Sequence, residues 1–339
     1  MTLADRKNSL ISLGQLLEDT NADFLSSIIA NAEAQNPWFT RDNILLALKS
    51  IRSEYLDEYA LNDLISKYNL DDNIEPRNIG LILAGNIPLV GFHDVLCCYL
   101  AGHVSMIKYS DKDTVLMQGM VSMLKNIDPN SDKYFVEVEK LIAYDAAIAT
   151  GSNATAKHFE YYFRHVPHII RQNRNSIAVL SGDESADDFN ALGSDIFSYF
   201  GMGCRNVSKV FVPSQMDLSN LIEGLSAYKD LLNHNKYKNN YDYNVALNLI
   251  NLEPFLQGEH IILKESAQII SRIGTLHYQY YEKLDDVSNW IQNHTNEIQC
   301  VVSNINIPNV EVLPFGAAQC PSLDTYADGV DTMQFLLGL

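Results

Sequence analysis

The feature that most constrains the fold is an alternation that begins at Asn78. Ile79-Gly80-Leu81-Ile82-Leu83-Ala84 is an unbroken apolar run of strand length; Gly85-Asn86-Ile87-Pro88 follows it before helical spacing takes over in 92–101. A second short run, Val104-Ser105-Met106-Ile107-Lys108, leads through Ser110-Asp111-Lys112-Asp113 into a helical pattern over 114–124. A strand that is apolar throughout must be covered on both faces, and a helix after each strand supplies the cover. The pattern therefore reads β-α-β-α around a parallel sheet. Ligands of such sheets bind outside the carboxyl ends of the strands, where Gly85, Asn86 and Lys108 fall.

The alternation continues through strand-like runs at 134–138 and 146–149, the polar turn Thr150-Gly151-Ser152, a helix over 154–163, a strand at 175–180 and an amphipathic helix over 185–200. Upstream, apolar residues recur at helical spacing from Leu10 to Leu70, interrupted at Pro37 and restarted at a Thr40 N-cap, which predicts about four helices packed on the domain that follows. Downstream of Pro213 the pattern predicts a helix over 218–232, a polar link rich in Asn and Tyr over 233–244, and a helix over 245–252. Strands at 260–263, 276–281 and 298–302 and a helix over 285–294 complete it. The chain is thus read as α/β, with a helical segment at 1–77 and two doubly wound domains at 78–200 and 201–339, divided near Phe200 and Gly201.

Composition narrows the partners. A formal charge of −18, with only 24 Lys and Arg, argues against a nucleic-acid surface, which needs clustered cations. The five cysteines (Cys97, Cys98, Cys204, Cys300, Cys320) are odd in number and contain no CxxC pair, which fits reduced thiols in the cytoplasm better than a metal site or a disulfide framework. No apolar run approaches the ~18 residues of a membrane span, and no apolar signal region follows the charged first residues.

Gly201-Met202-Gly203-Cys204-Arg205-Asn206 lies between the helix ending near Phe200 and the strand-like 209–213. The glycines permit backbone N–H groups to converge, and Arg205 adds positive charge; both conditions favour a reactive thiolate. Cys204 is the candidate nucleophile on these grounds, while a lone cysteine also fits a small buried apolar role. Neither GxGxxG nor a P-loop is present.

Taken together, Leu83-Ala84-Gly85-Asn86-Ile87-Pro88-Leu89, Met106-Ile107-Lys108-Tyr109-Ser110-Asp111, Ala149-Thr150-Gly151-Ser152, Asn175-Ser176-Ile177-Ala178-Val179, Gly201-Met202-Gly203-Cys204 and Pro314-Phe315-Gly316 resemble, in order and spacing, the aldehyde dehydrogenase superfamily. Within it they resemble the long-chain acyl-CoA reductases related to the fatty-acid reductase of bacterial bioluminescence; Asn36-Pro37-Trp38-Phe39-Thr40 in the leader is similar to that branch as well. The resemblance implies a nicotinamide-dinucleotide domain at 78–200 and a catalytic domain at 201–339. It gives Cys204 the nucleophile's role and makes Asn86 a donor to the oxyanion. Lys108 and Asp111 fall near the adenosine ribose, Thr150, Gly151 and Ser152 at the pyrophosphate turn, and Phe315 in the wall of the acyl pocket.

Each assignment has a plain counterpart: Asn86 as a turn former, Lys108 as a solvated charge, Thr150-Gly151-Ser152 as an N-cap, Phe315 as a core aromatic. Arg164, His165, His168, Arg171 and Arg174 form a basic cluster in an acidic chain, read either as a phosphate site or as a solvated helix face; His165 is the nearest candidate by type to take the Cys204 proton. The glutamate that activates water in the hydrolytic relatives maps to about Arg171, so an acyl-enzyme here is expected to be reduced rather than hydrolysed.

The expected function is reduction of a fatty acyl-CoA, or acyl-carrier thioester, to the aldehyde. NADPH is the cofactor the resemblance favours; Asp111 favours NADH. No metal is expected, and a homo-oligomer or partner acyl-transferase and synthetase subunits fit the branch. An aldehyde oxidiser, an acyl-phosphate reductase and a non-catalytic acyl- or nucleotide-binding subunit are the alternatives.

Overall fold

The first 68 residues form α1 (Leu3–Leu16), α2 (Asp23–Gln35), α3 (Arg41–Ser50) and α4 (Glu58–Tyr68), with one π-helical turn at Ile51–Tyr55 between the last two. Caps set their starts. Thr2 and Asp5 make a reciprocal capping box on α1, Thr40 accepts from the Asn43 N–H at α3, and Asp57 from the Tyr59 and Ala60 N–H groups at α4. The structure is a computed structural model and describes residues 1–151 and 153–339.

The alternating region follows as β1 (Asn78–Ile82), α5 (Phe92–Ala101), β2 (Val104–Lys108), α6 (Thr114–Ile127), β3 (Phe135–Glu137), β4 (Ala146–Thr150), α7 (Asn153–Phe163) and β5 (His168–Arg171). Among the described residues these strands make a five-stranded sheet in the order β3-β2-β1-β4-β5, with every pairing parallel. One face is buried under Leu10, Leu13, Ile29 and Ile44 of the leader together with α5 and α6, which share a single core. The opposite face packs on Phe163 of α7.

A second sheet is built from β6 (Asn175–Val179), β7 (Val207–Pro213), β8 (Leu256–Gln257), β9 (Ile262–Glu265), β10 (Thr275–Tyr281) and β11 (Ile298–Val302). Among the described residues their order is β11-β6-β7-β10-β9-β8, with only β8 antiparallel. Interspersed are α8 (Ala186–Phe197), α9 (Leu218–Gly224), α10 (Asn235–Ile250) and α11 (Leu284–Asn293). The α/β, doubly wound reading is borne out.

Three expectations are corrected. The division does not fall near Gly201: the compact units are Met1–Asn173 with Pro321–Leu339, and Arg174–Cys320. The reason is pairing, since β6 lies between β7 and β11 and so carries α8 into the second sheet, while α12 (Thr332–Leu337) buries Met333 and Leu336 in the core of the first unit. The expected link over 233–244 is mostly helix: Asn233 ends a 3-10 segment, His234 caps α10, and 235–244 are its first part. Its buried stripe is Tyr237, Tyr241, Asn244 and Asn248, and the two hydroxyls donate to the carbonyls of His260 and Gly258. The basic cluster does not share a helix face, because α7 ends at Phe163 and His168–Arg171 is a strand.

Arg171 is buried in the first unit, where it forms an ion pair with Asp94 of α5 and donates to Thr332 Oγ1 of α12. The nearby carboxylate and the hydrogen bond it accepts hold the guanidinium in its charged form despite burial. Removing one partner leaves the other charge unpaired in the interior. Arg171→Met is therefore expected to lower the unfolding free energy by about 3–5 kcal/mol in urea titration, and adding Asp94→Leu to recover most of that loss.

Candidate functional site

In the first unit the polar candidates gather along the carboxyl edge of the sheet. β1 pairs with β2 on one side and β4 on the other, with Ile82 in register with both Lys108 and Ala149. The chain leaves β1 toward β2, so the gap between β1 and β4 is the point at which strand order reverses. The loop after β1 carries Asn86, exposed; β2 ends at Lys108, exposed, with exposed Asp111 in the loop beyond; β4 ends at half-buried Thr150 and Gly151. Ser152 lies outside the described residues.

Two contacts fix these loops to each other. A Cβ on Gly85 would stand 2.5 Å from Ser110 Oγ, so only glycine lets the first loop lie against the second. Asp113 is buried, and its Oδ2 accepts from the Leu89 N–H at 2.7 Å, where Leu89 sits in the left-handed region at φ 58°. Burial pushes the Asp113 carboxyl well above the ordinary carboxylate range. At Gly151 a Cβ would come within 2.3 Å of Thr155 Oγ1, so the turn packs directly on the first turn of α7. A helix N-terminus packed this closely against a strand end suits a pyrophosphate.

Of the other basic candidates only Arg171 stands at this edge, as the last residue of β5 in register with Thr150, and its side chain is turned to other partners. Arg171 is committed to Asp94 and Thr332, which corrects its reading as a phosphate ligand. His165 accepts from Arg164 Nε at 2.9 Å in the turn after α7. A crossover helix returns the chain to the amino edge of a parallel sheet, so His165 lies at the end of the first sheet opposite Asn86. Arg174, half-buried in the second unit, donates to the carbonyls of Thr295 and Ile298.

In the second unit Cys204 is half-buried on the turn between α8 and β7. The approach to it is strained: Tyr199, Phe200 and Gly201 all have positive φ, at 53°, 59° and 77°. Two aromatic residues in the left-handed region cost about 1–2 kcal/mol each, and such outliers cluster at functional sites. Packing holds them, with Phe200 stacked on His234 at 4.3 Å between ring centres.

The turn itself is pinned by Asn206, which is 1% exposed. Its Oδ1 accepts from the Gly203 N–H at 2.7 Å, and its Nδ2 donates to the carbonyls of Asp195, Ile196 and Ser198. Ser176 Oγ donates to the Cys204 carbonyl at 3.1 Å and lies 3.0 Å from Cys300 Sγ. The Arg205 guanidinium donates to the Ala318 carbonyl at 3.3 Å and draws the Cys300 thiol down against the larger upward push of burial.

Phe315 is 9% exposed and packs in the second unit's core with Phe189 and Leu192. Sequence reasoning missed Asn206 and Asp195. Asp195 of α8 is fully buried, and its carboxylate accepts from the Gly316 N–H at 2.6 Å and the Ala318 N–H at 3.0 Å. Burial outweighs those two bonds and moves its pKa up to about 6. The available signal was a carboxylate directly before Ile196 and Phe197 on the buried side of an amphipathic helix.

No protein-family model and no curated protein matches the chain. Solved structures do. Against an oxidoreductase from Marinobacter aquaeolei the TM-score is 0.72 at 10% identity, spanning 99% of this chain and 85% of that one. Aldehyde dehydrogenase 21 from Physcomitrella patens, solved in complex with the reaction product succinate, gives 0.71 at 10% identity over 100% and 84%. The NAD+ complex of an aldehyde dehydrogenase from Bacillus cereus gives 0.62 at 14% identity over 89% and 72%. The chain therefore has an aldehyde-dehydrogenase-like fold.

The four bonds of Asn206 generate a prediction about the thiol turn. Asn206→Ala leaves one N–H and as many as three carbonyls short of a partner in the interior, and is expected to cost about 3 kcal/mol of stability in chemical denaturation. Asn206→Asp should do no better, because a charge would then face the three carbonyls.

Proposed function

We propose that the chain reduces a fatty acyl-CoA thioester to the aldehyde through an acyl-enzyme on Cys204, with NADPH as the cofactor the family resemblance favours and NADH the one Asp111 favours. The observation that carries the reading is the Cys204 turn, where a half-buried thiol follows three consecutive left-handed residues and is fixed by a buried asparagine. Strain of that kind at a cysteine is costly to maintain for packing alone.

The carboxyl edge of the first sheet fits a dinucleotide by its chemistry. The Gly151 N–H is taken by the Arg171 carbonyl, so the N–H groups of the first turn of α7 beyond it would receive the pyrophosphate, and Lys108 and Asp111 would meet the adenosine ribose. When bound, the nicotinamide supplies the hydride. On the protein side the Cys204 thiolate attacks the thioester carbonyl and forms a C–S bond, and coenzyme A leaves as thiolate; the roles of oxyanion donors for the Asn86 amide and the Cys204 N–H are those the family resemblance implies. After reduction, the thiohemiacetal on Cys204 collapses to aldehyde, returning the electron pair to sulfur.

Arg171 supports reduction over hydrolysis. At about the position where the resemblance puts a water-activating glutamate, the residue is a cation already spent on Asp94, which weighs against the aldehyde oxidiser. An acyl donor on a carrier protein, and association with partner acyl-transferase subunits or a second copy, belong to the same proposal.

Incubation with palmitoyl-CoA in the absence of reductant is expected to add one palmitoyl group by intact-mass measurement, and Cys204→Ser to add none. Asn86→Ala should lower kcat by about 100- to 1000-fold in a nicotinamide absorbance assay, the usual loss on removing one oxyanion donor. No adduct in the unmodified protein, together with no labelling of Cys204 by thiol reagents at neutral pH, would identify a non-catalytic subunit instead.

A further inference from the structure

We propose that Asp195 is a positioning residue for the Cys204 turn, an ionised latch that holds the 314–320 loop and through it the Arg205 guanidinium. The inference rests on the reading of Cys204 as nucleophile and stays within the second unit. Asp195 is bonded in two directions at once. Its carboxylate accepts from the Gly316 and Ala318 N–H groups, one on each oxygen, while its main-chain carbonyl accepts from Asn206 Nδ2, the side chain that pins Gly203.

Ala318 carries the link onward. The residue whose N–H Asp195 holds offers its own carbonyl to Arg205 Nη1, and Arg205 is the next residue after Cys204. Each carboxylate oxygen accepts one N–H, and these bonds are at their strongest while the group is charged; the oxygen that takes a proton keeps a lone pair but becomes a poorer acceptor. Protonation therefore weakens the hold on one N–H of the loop, and with it the placement of the Ala318 carbonyl that orients the guanidinium.

The titratable groups that feel the Asp195 charge are Tyr228 of the 3-10 segment Ser226–Asn233 and Cys300 of β11, and Arg205 of the turn acts on Cys300 and on the Ala318 carbonyl. Burial raises both the tyrosine and the thiol above their ordinary values, and a guanidinium keeps its charge throughout. Between pH 5 and about 7 the charge that changes in this cluster is that of Asp195, whose pKa stands at about 6.

The direction follows from that value. Because the folded pKa lies above that of an unfolded aspartate, the folded protein binds the proton more readily, and this group's contribution to stability falls as pH rises through 6. The ionised latch is thus held at an energetic cost, offset by the two N–H groups it satisfies.

The test uses the full chain and iodoacetamide, with alkylation at Cys204 followed by peptide mass spectrometry from pH 5 to 8. In the unmodified protein the rate is expected to depend on one ionisation near pH 6 in addition to that of the thiol, so that the fall in rate steepens below pH 6. Asp195→Asn, the neutral near-isostere, should remove that ionisation and react severalfold more slowly at pH 7.5, and Asp195→Ala should do the same if it folds. Superimposable profiles for the unmodified protein and Asp195→Asn would overturn the latch and leave the nucleophile standing. If Cys204 of the unmodified protein fails to react at any pH while exposed Cys320 does, the nucleophile reading falls and the latch falls with it.

Discussion

Parallel pairing is the constraint on which the rest of the structure depends. Two parallel neighbours cannot be joined by a tight turn; each needs a crossover, and a right-handed crossover returns the chain to the same edge every time. In the first unit this collects the loops after β1, β2 and β4 along one edge, so residues as far apart in sequence as Asn86 and Gly151 belong to one rim. In the second unit the same rule makes β6 and β7 adjacent and requires α8 between them to pack on the sheet they form. Cys204 is then the product of a connection: it stands where the chain, having crossed over as α8, must reverse to enter β7.

Both units spend polar groups inside to fix what apolar packing leaves free. Arg171 ties β5 to α5 and α12 with one charge pair and one hydroxyl. Such pairs add little net stability, because desolvation offsets attraction, but they are specific: an apolar triple would slide where this one cannot. Lys209 does similar work in the second unit. It is fully buried on β7, donates to the Ser266 carbonyl and Gln279 Oε1, and lies over the rings of Phe211 and Trp290 at 5.1 and 4.9 Å. Burial draws its amine down to about 8, so the aromatic faces and two acceptors hold a charge that water would hold better.

What the sequence discloses follows from these two kinds of interaction. The strands β1, β2 and β4 of the first sheet are legible because burial on both faces writes itself as apolar runs, and the rim residues are legible because they follow those runs directly; β5 is not, because His168 and Arg171 leave it only two isoleucines. Nor is the first part of α10, since its buried stripe is made of tyrosine and asparagine whose hydroxyls and amide are satisfied by carbonyls elsewhere in the unit. Periodicity weighs hydrophobicity and cannot see a polar side chain that has found its partner. Arg171 is misread for the same reason: a cation near other cations suggests phosphate, but its carboxylate stands 77 residues away on α5. The unit boundary is hidden more deeply, because sheet membership is decided by which strand pairs with which, and β6 carries no local mark of its neighbours.

The thiol turn shows how such long-range bonds decide local backbone. Left-handed conformations at Tyr199 and Phe200 together cost about 2–4 kcal/mol, and nothing in Tyr199-Phe200-Gly201-Met202 favours them apart from the glycine. Against that stand the burial of the Phe200 ring, worth about 2 kcal/mol, and the hydrogen bonds of Asn206, whose one oxygen and two amide hydrogens amount to about three bonds at ~1 kcal/mol each. The margin is only about 1–3 kcal/mol, so the turn holds its shape only while the residues after Cys204 hold it there. A conformation balanced in this way fixes the backbone on both sides of the cysteine and leaves its side chain half-buried. That combination suits a nucleophile, which must be held at its Cα and reachable at its sulfur, better than it suits a residue whose only task is to fill space.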